Sequence, residues 1–388
     1  MTDKKHSSEI KVAMACPGVG LVQRGFERMF RDLFDLLKDD IDVTLFKGGG
    51  HESENERKLL FTSRNGRFLK WFPLHRLLGR TSYHIECLTF SVSLLLAMRG
   101  QGFQVVYCTD PPLTRILYKL RKRFKLNFRI LYLEGCAMPA SDYPPSDHIQ
   151  QVSQITHNEA IDYNIPAEFM TLIPVGFNPD VFSVTSRRRD LRKKYDIGES
   201  TFVVLSVAAI NRNHKRADYL IDEFSKLEGD ILLWIDGSMD QGDLDLLTYA
   251  QEKLGDRCRI SHLPSKYVGD LFAVADLMVH TATYEAFGLA MIEGASTGLP
   301  LLTHNAPHFL WLMNNERAAL DMNVEGNLAS RVRYLVDHPE KLAELSNGEE
   351  ICRKYNWLEL KEDYLAMYAK VASLPDSETG IADQYRLQ

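Results

Sequence analysis

The sequence predicts an α/β protein made of two doubly wound parallel-sheet domains, and three observations carry the prediction. Short apolar runs alternate with stretches of helical spacing through both halves of the chain, the pattern of repeated strand–helix–strand units. The 388 residues suffice for two domains of ordinary size. The charge divides with them. Residues 1–196 hold 29 Lys+Arg and 22 Asp+Glu, a balance of +7; residues 197–388 hold 17 and 30, a balance of −13, and the two give the net −6. A basic first half and an acidic second half point to two bodies with different partners.

Composition excludes several classes. Hydrophobic residues make up 45% and charged residues 25%, ordinary values for a globular chain. No apolar run reaches the length of a membrane span; the longest, 88–98, is interrupted by Thr and Ser. The opening MTDKKHSSEI lacks the apolar core of a secretory signal. Six cysteines show no CxxC pair and no regular spacing, as buried thiols of a reducing compartment do, so the expected location is cytoplasmic.

Taken in order, 11–16 (KVAMAC) reads as the first strand and breaks at Pro17-Gly18-Val19-Gly20. A helix follows from near Gly25, with Phe26, Met29, Phe30, Leu33 and Leu37 on one face. Strand 43–46 then ends at three glycines. The spacing Gly18-x-Gly20-x4-Gly25 departs from G-x-G-x-x-G, and no acid closes the second strand, so a nicotinamide cofactor is not expected, nor is any other.

Residues 57–80 hold seven Lys/Arg and no acid, with Leu, Phe and Trp interleaved. Such a segment suits peripheral contact with an anionic membrane, and the basic helix 115–125 strengthens that expectation. No nucleic-acid-binding module accompanies the charge. Strands at 105–108 and 129–133 follow, the latter ending at Glu134. The run SRRRDLRKKYDIGES reads as a basic linker. The expected divisions are therefore 1–195, 196–355, a terminal helix at 356–375 and a tail at 376–388.

In the second half, 202–207 is a Val-rich strand fit for the centre of a parallel sheet. A polar loop with Arg212 and Lys215 leads into a helix, and further strands fall at 231–235, 260–263 and 277–280. The half is organised around ADLMVHTATYEAFGLAMIEGASTGLP, residues 275–300. Its strand runs through a polar crossing into a helix from Phe287, stopped by Gly298 and Pro300. The amides at Phe287, Gly288 and Leu289 open a helix N-terminus, which suits a phosphate. Glu285 stands before that N-terminus and Glu293 about two turns inside it; carboxylates there call for hydroxyls or a cation to bind. His304 and His308 stand four apart, but Pro307 intervenes and no third ligand is near, so no metal site is expected.

The E-A-F-G-x-x-x-x-E arrangement resembles the E-x7-E signature of family 4 glycosyltransferases, retaining enzymes of GT-B fold. The resemblance implies two Rossmann-like domains facing across a cleft, with a C-terminal helix crossing back to the first. It implies that Glu285 contacts donor-sugar hydroxyls, that Phe287, Gly288 and Leu289 face sugar and diphosphate, and that Glu293 holds the ribose. Lys215 matches the family's diphosphate lysine. The family's Gly-Arg pair falls on Ala209-Ile210, so Arg212 would act from a shifted place. The GFER run resembles the glycine loop that brings Gly20 and Gly25 towards the donor, and Glu134 stands where the family often supplies a His.

The implied function is metal-independent transfer of a hexose-type sugar from a UDP- or GDP-sugar to a glycan, lipid-linked or small-molecule acceptor, as in polysaccharide biosynthesis. Three other readings are open. One is a nucleotide-sugar 2-epimerase. A second is a nucleotide-binding relative without activity. The third is a glycan phosphorylase, which calls for a longer chain and a pyridoxal lysine site.

Overall fold

Lys11–Cys16 forms β1, and five of its six residues are buried, as a strand covered on both faces requires. The computed structural model describes residues 10–22, 25–64, 66, 81–136, 138–183 and 186–375. Most of the basic 57–80 segment, residue 65 and 67–80, thus lies outside the described residues, as does the 376–388 tail. Helix α1 (Gly25–Leu37) buries Met29, Phe30, Leu33, Phe34 and Leu37. Strand β2 (Asp42–Lys47) pairs parallel with β1, and β3 (Glu56–Lys58) joins its outer edge.

Helix α2 (Ser82–Met98) starts at Thr81, whose hydroxyl accepts from the His84 N–H. Then come β4 (Val105–Cys108), α3 (Pro111–Phe124), β5 (Arg129–Glu134), β6 (His148–Gln151), α4 (Gln154–Asp162) and β7 (Met170–Leu172). The strands form one parallel sheet in the order β3-β2-β1-β4-β5-β6-β7. The reversal of strand order lies between β1 and β4.

The second unit opens with a 3₁₀ turn at Pro179–Phe182 and α5 (Arg188–Lys194). It continues through β8 (Phe202–Val207), α6 (Ala217–Ser225), β9 (Ile231–Asp236), α7 (Leu246–Leu254) and β10 (Cys258–Ser261). There follow α8 (Val268–Val274), β11 (Leu277–His280), α9 (Leu289–Ser296), β12 (Leu301–His304) and α10 (Pro307–Met313). Short β13 (Ala319–Leu320), α11 (Asn327–Asp337) and α12 (Gly348–Tyr355) complete it. Its sheet is parallel in the order β10-β9-β8-β11-β12-β13, with the reversal between β8 and β11. Val204, Leu233, Leu277 and Val279 from the sheet pack with Ile221, Phe224, Leu246 and Val332 from the helices in one buried cluster. Glu223, buried on α6, accepts from Gly326 N at 2.8 Å and Ala329 N at 3.0 Å, and so fills the N-terminus of α11 with a fixed carboxylate.

Packing divides the chain into residues up to Gly176 together with those from Trp357 on, and Phe177–Asn356. The division thus falls some twenty residues before the expected 195/196, because the basic run is a helix of the second unit and not a linker. Arg192, buried on α5, donates to the carbonyls of Gly198, Glu199, Thr201 and Val274 and to Asp276 at 2.7 Å. Arg188 donates to the carbonyls of Ala273 and Ala275. These bonds fasten the helix to the strand–helix corner before β11.

The last helix, α13 (Trp357–Ala372), belongs to the first unit. Its Tyr364 hydroxyl accepts from Gln150 Nε2 at 2.9 Å and donates to the Pro174 carbonyl. Gln150 in turn accepts from Tyr107 at 2.6 Å, and the Tyr368 ring meets Tyr107 edge-on. Gly176 leaves no room for a side chain: a Cβ there would stand 2.4 Å from the Trp357 indole.

Candidate active site

Two loops leave the carboxyl ends of β8 and β11, the neighbouring strands at which the second sheet reverses order, where open α/β sheets bind ligands. The β8 loop is shaped by Asn211, whose side-chain oxygen accepts from His214 N at 3.0 Å and Lys215 N at 2.9 Å. Its Nδ2 donates to Asp240 at 3.1 Å. Arg216 then takes a left-handed conformation, φ 54°, to turn the chain into α6. The loop after β11 is tied to this one by the Thr281 hydroxyl, which donates to the Lys215 carbonyl at 2.5 Å.

The tie brings Lys215 and Glu285 together. The Lys215 ammonium donates to Glu285 Oε1, and His280 Nε2 donates to the same oxygen at 2.8 Å. His214 stacks on the Tyr284 ring, centroids 4.5 Å apart, and donates from Nε2 to the Tyr284 carbonyl at 2.8 Å. That nitrogen stands 3.8 Å from Glu285 Oε2, which accepts no hydrogen bond among the described residues. One carboxylate oxygen is thus anchored and the other is left to accept.

The electrostatics follow from burial and these partners. Burial alone raises the Glu285 carboxyl; the hydrogen bond from His280 and the pairing with Lys215 outweigh it and bring the group down to about 2. Burial lowers the His280 imidazole, against the pull of Glu285. Near neutral pH the site therefore holds an ionised carboxylate and a neutral His280.

Phe287 is buried, and its carbonyl accepts from His308 Nε2 at 3.0 Å. Gly288 follows with φ 101°, a conformation that delays the helix two residues beyond the expected Phe287. Helix α9 begins at Leu289 behind Gly288, and no side-chain cap bond is made there among the described residues, so its first amides stay available to an anion. Glu293 lies in its second turn, with 8% of its surface exposed.

The remaining predicted residues are placed otherwise. Arg212 donates to both Asp245 oxygens, at 2.8 and 2.7 Å, and to Asp243 at 3.1 Å, on the acidic loop after β9. It is not brought onto Glu285 beside Lys215. In the first unit Glu134 is fully buried and accepts from the amides of Cys136 and Met138 and from the Tyr132 hydroxyl. That carboxylate holds its own loop. Gly20 has φ 80° and presses on Gly49, where a Cβ would lie 2.3 Å from backbone, and Gly25 opens α1. His304 Nδ1 accepts from Met322 N, and no cluster of three metal-ligating side chains occurs among the described residues.

Sequence reasoning missed two histidines. His280 passed as the polar end of an apolar strand, and His214 as a loop residue beside a better candidate. The available signal was that each adjoins a predicted loop, one residue before Lys215 and five before Glu285.

Two parallel sheets of doubly wound order, with the polar cluster at the switch point of the second, define a GT-B protein of two Rossmann-like domains. Residues 187–350, most of the second unit, match the family described as glycosyl transferases group 1. Among curated relatives, mannosylfructose-phosphate synthase of Agrobacterium fabrum is 28% identical over 153 residues, 36% of this chain and 33% of that protein. The chain thus matches only about a third of that relative's length. Among solved structures, sucrose-phosphate synthase from Thermosynechococcus elongatus superposes with a TM-score of 0.76 at 18% identity, covering 93% of this chain and 100% of that one. Anabaena HepE, solved in complex with UDP and glucose, superposes with a TM-score of 0.71 at 13% identity, covering 93% and 100%. At such identities the structural likeness speaks for the fold alone.

Proposed function

We propose that this chain is a retaining glycosyltransferase of family 4 that moves a hexose from a UDP- or GDP-sugar to a glycan, lipid-linked or small-molecule acceptor. One observation carries the reading: Lys215 and Glu285, 70 residues apart in sequence, meet at the switch point of the second sheet, beside the open N-terminus of α9. A nucleoside diphosphate sugar needs this combination, a cation and amides for the diphosphate and a carboxylate for sugar hydroxyls. Relatives of the same fold that hold UDP and glucose support the choice of donor.

In the proposed reaction the bond from the anomeric carbon to the diphosphate oxygen breaks as the acceptor hydroxyl oxygen bonds to that carbon from the same face and gives its proton to the departing diphosphate, on which negative charge grows. Lys215 and the first amides of α9 are already fixed where that charge develops, and preorganised charge of this kind is a large catalytic term. They serve in place of a metal, so the rate is expected to be unchanged by EDTA. Glu285 Oε2 accepts a sugar hydroxyl and steadies positive character at the sugar. Glu293 holds the ribose, and Phe287, Gly288 and Leu289 present their backbone to the donor. Arg212 joins as a second cation only by exchanging Asp243 and Asp245 for phosphate. In the first unit, the family resemblance assigns Gly20 and Gly25 to the donor, and Glu134 supports the loop after β5.

We also propose a cytoplasmic location with peripheral contact at an anionic membrane. On α2 the exposed Leu88, Val92 and Leu96 form an apolar stripe, and basic residues Lys119, Lys122 and Arg123 stand on α3. No helix among the described residues is long and apolar enough to cross a membrane.

The test is release of UDP or GDP from a panel of nucleotide sugars, with anomeric configuration of the product read by NMR. Glu285→Ala and Lys215→Ala should each abolish most of the turnover. Wild-type turnover in either variant would remove that residue from the reaction.

A further inference from the structure

His280, the third member of the cluster, has no part in the chemistry above. It ends β11 with 3% of its surface exposed, edge-on to the Phe309 ring, and gives its Nε2–H to Glu285. Lys215 meanwhile has two claims on it. The ammonium that pairs with Glu285 is the same one that meets the diphosphate, and a diphosphate carries more charge than a carboxylate. When the donor enters, Lys215 is drawn from Glu285. A carboxylate with 10% of its side chain exposed then takes up a proton unless another donor holds it. Once protonated it has lost the acceptor strength that grips a sugar hydroxyl.

We propose that His280 is a positioning residue that keeps Glu285 ionised and aimed while Lys215 turns to the diphosphate. The inference rests on the assignment of Glu285 to the donor sugar. The charged and titratable groups around the imidazole are Glu285 on its own loop, Lys215 and His214 from the loop after β8, and His308 from α10. Burial is the largest influence on the ring, and its three basic neighbours, Lys215, His214 and His308, add to it against the pull of Glu285. The neutral ring is therefore the stable form, and it donates a hydrogen bond without competing for Lys215.

Two variants separate this role from packing. His280→Gln can place an amide N–H near the imidazole Nε2, and His280→Leu fills the volume with no donor. Loss of one hydrogen bond to a charged group predicts that His280→Leu lowers kcat for a UDP-hexose by about 10- to 100-fold. The loss should fall on kcat more than on the KM for the donor, and His280→Gln should recover most of the rate. A second readout needs no activity. His280→Leu should lower Tm when Glu285 is present and much less in the Glu285→Gln background, a non-additive cycle. Wild-type kcat in His280→Leu, a His280→Gln variant as slow as the Leu one, or strictly additive Tm changes would overturn the inference. If the wild-type chain turns over no nucleotide sugar, the functional reading fails, and the melting cycle alone decides whether His280 holds Glu285.

Discussion

Glu285→Gln offers a stability measurement whose size can be worked from the site. The carboxyl lies at about 2 against an ordinary 4.5, so the folded site disfavours its proton by about 2.5 powers of ten. At about 1.4 kcal/mol for each, the ionised form contributes about 3 kcal/mol to folding. The sign follows from the direction of the change. A carboxyl lowered on folding lends its full contribution above pH 4.5 and loses it as the pH falls towards about 2. Glutamine keeps the shape and cannot ionise. The gap in stability between wild type and Glu285→Gln should therefore be widest at pH 6–7 and close through the window from 4.5 to 2. Urea titrations of the full chain at pH 7, 5, 4 and 3, followed by circular dichroism and tryptophan fluorescence, measure it. A gap of equal width at pH 7 and pH 3 would refute the assignment of Glu285 as a strongly held carboxylate.

Other outcomes follow from the same geometry. Lys215→Met should reduce turnover by about 100- to 1,000-fold, the usual loss when one group is removed from developing negative charge. Arg212→Ala should cost less than about tenfold, because the guanidinium is engaged by Asp243 and Asp245; steady-state kinetics with one donor compares the two. Gly20→Ala should destabilise by about 2–4 kcal/mol, through its φ of 80° and the close approach to Gly49, read as a fall in Tm. For the proposed membrane contact, Val92→Glu with Leu96→Glu should weaken sedimentation with phosphatidylglycerol vesicles and leave donor turnover intact. Equal binding to neutral phosphatidylcholine vesicles would remove the electrostatic part of that proposal.

The fold was legible because its signals are local. Continuous apolar runs such as 11–16 and 202–207 mark strands buried on both faces, and both lie centrally in their sheets. The 285–293 segment was legible for the same reason, since its loop, glycine and helix are consecutive. Arg192 shows where such reading stops. In sequence it is one cation among six in a charged run, yet its partners Val274 and Asp276 lie more than 80 residues away. The same holds for Arg212, read as a free cation at the sheet's mouth and found in the grip of two aspartates some thirty residues later. Charge in a loop predicts affinity for an anion, and cannot say which anion the fold supplies.

His280 sharpens the point, because its partner is only five residues distant. Side chains alternate along a strand, and an imidazole after three apolar residues reads as the place where burial ends. Here burial continues through it: Thr281 and Ala282 beyond it are buried as well. The loop turns back so that Glu285 meets the ring, and the bond from Thr281 to the Lys215 carbonyl holds that turn against the β8 loop. The acid, the imidazole and the ammonium therefore form one unit made by two loops, and the Thr281 hydroxyl is its clasp. Thr281→Val, which keeps the shape and removes the donor, should loosen Lys215 from Glu285 and lower turnover by about three- to tenfold, the cost of one hydrogen bond to a neutral acceptor. If Thr281→Val leaves turnover unchanged while Lys215→Met abolishes it, the two loops are held together by the ion pair alone.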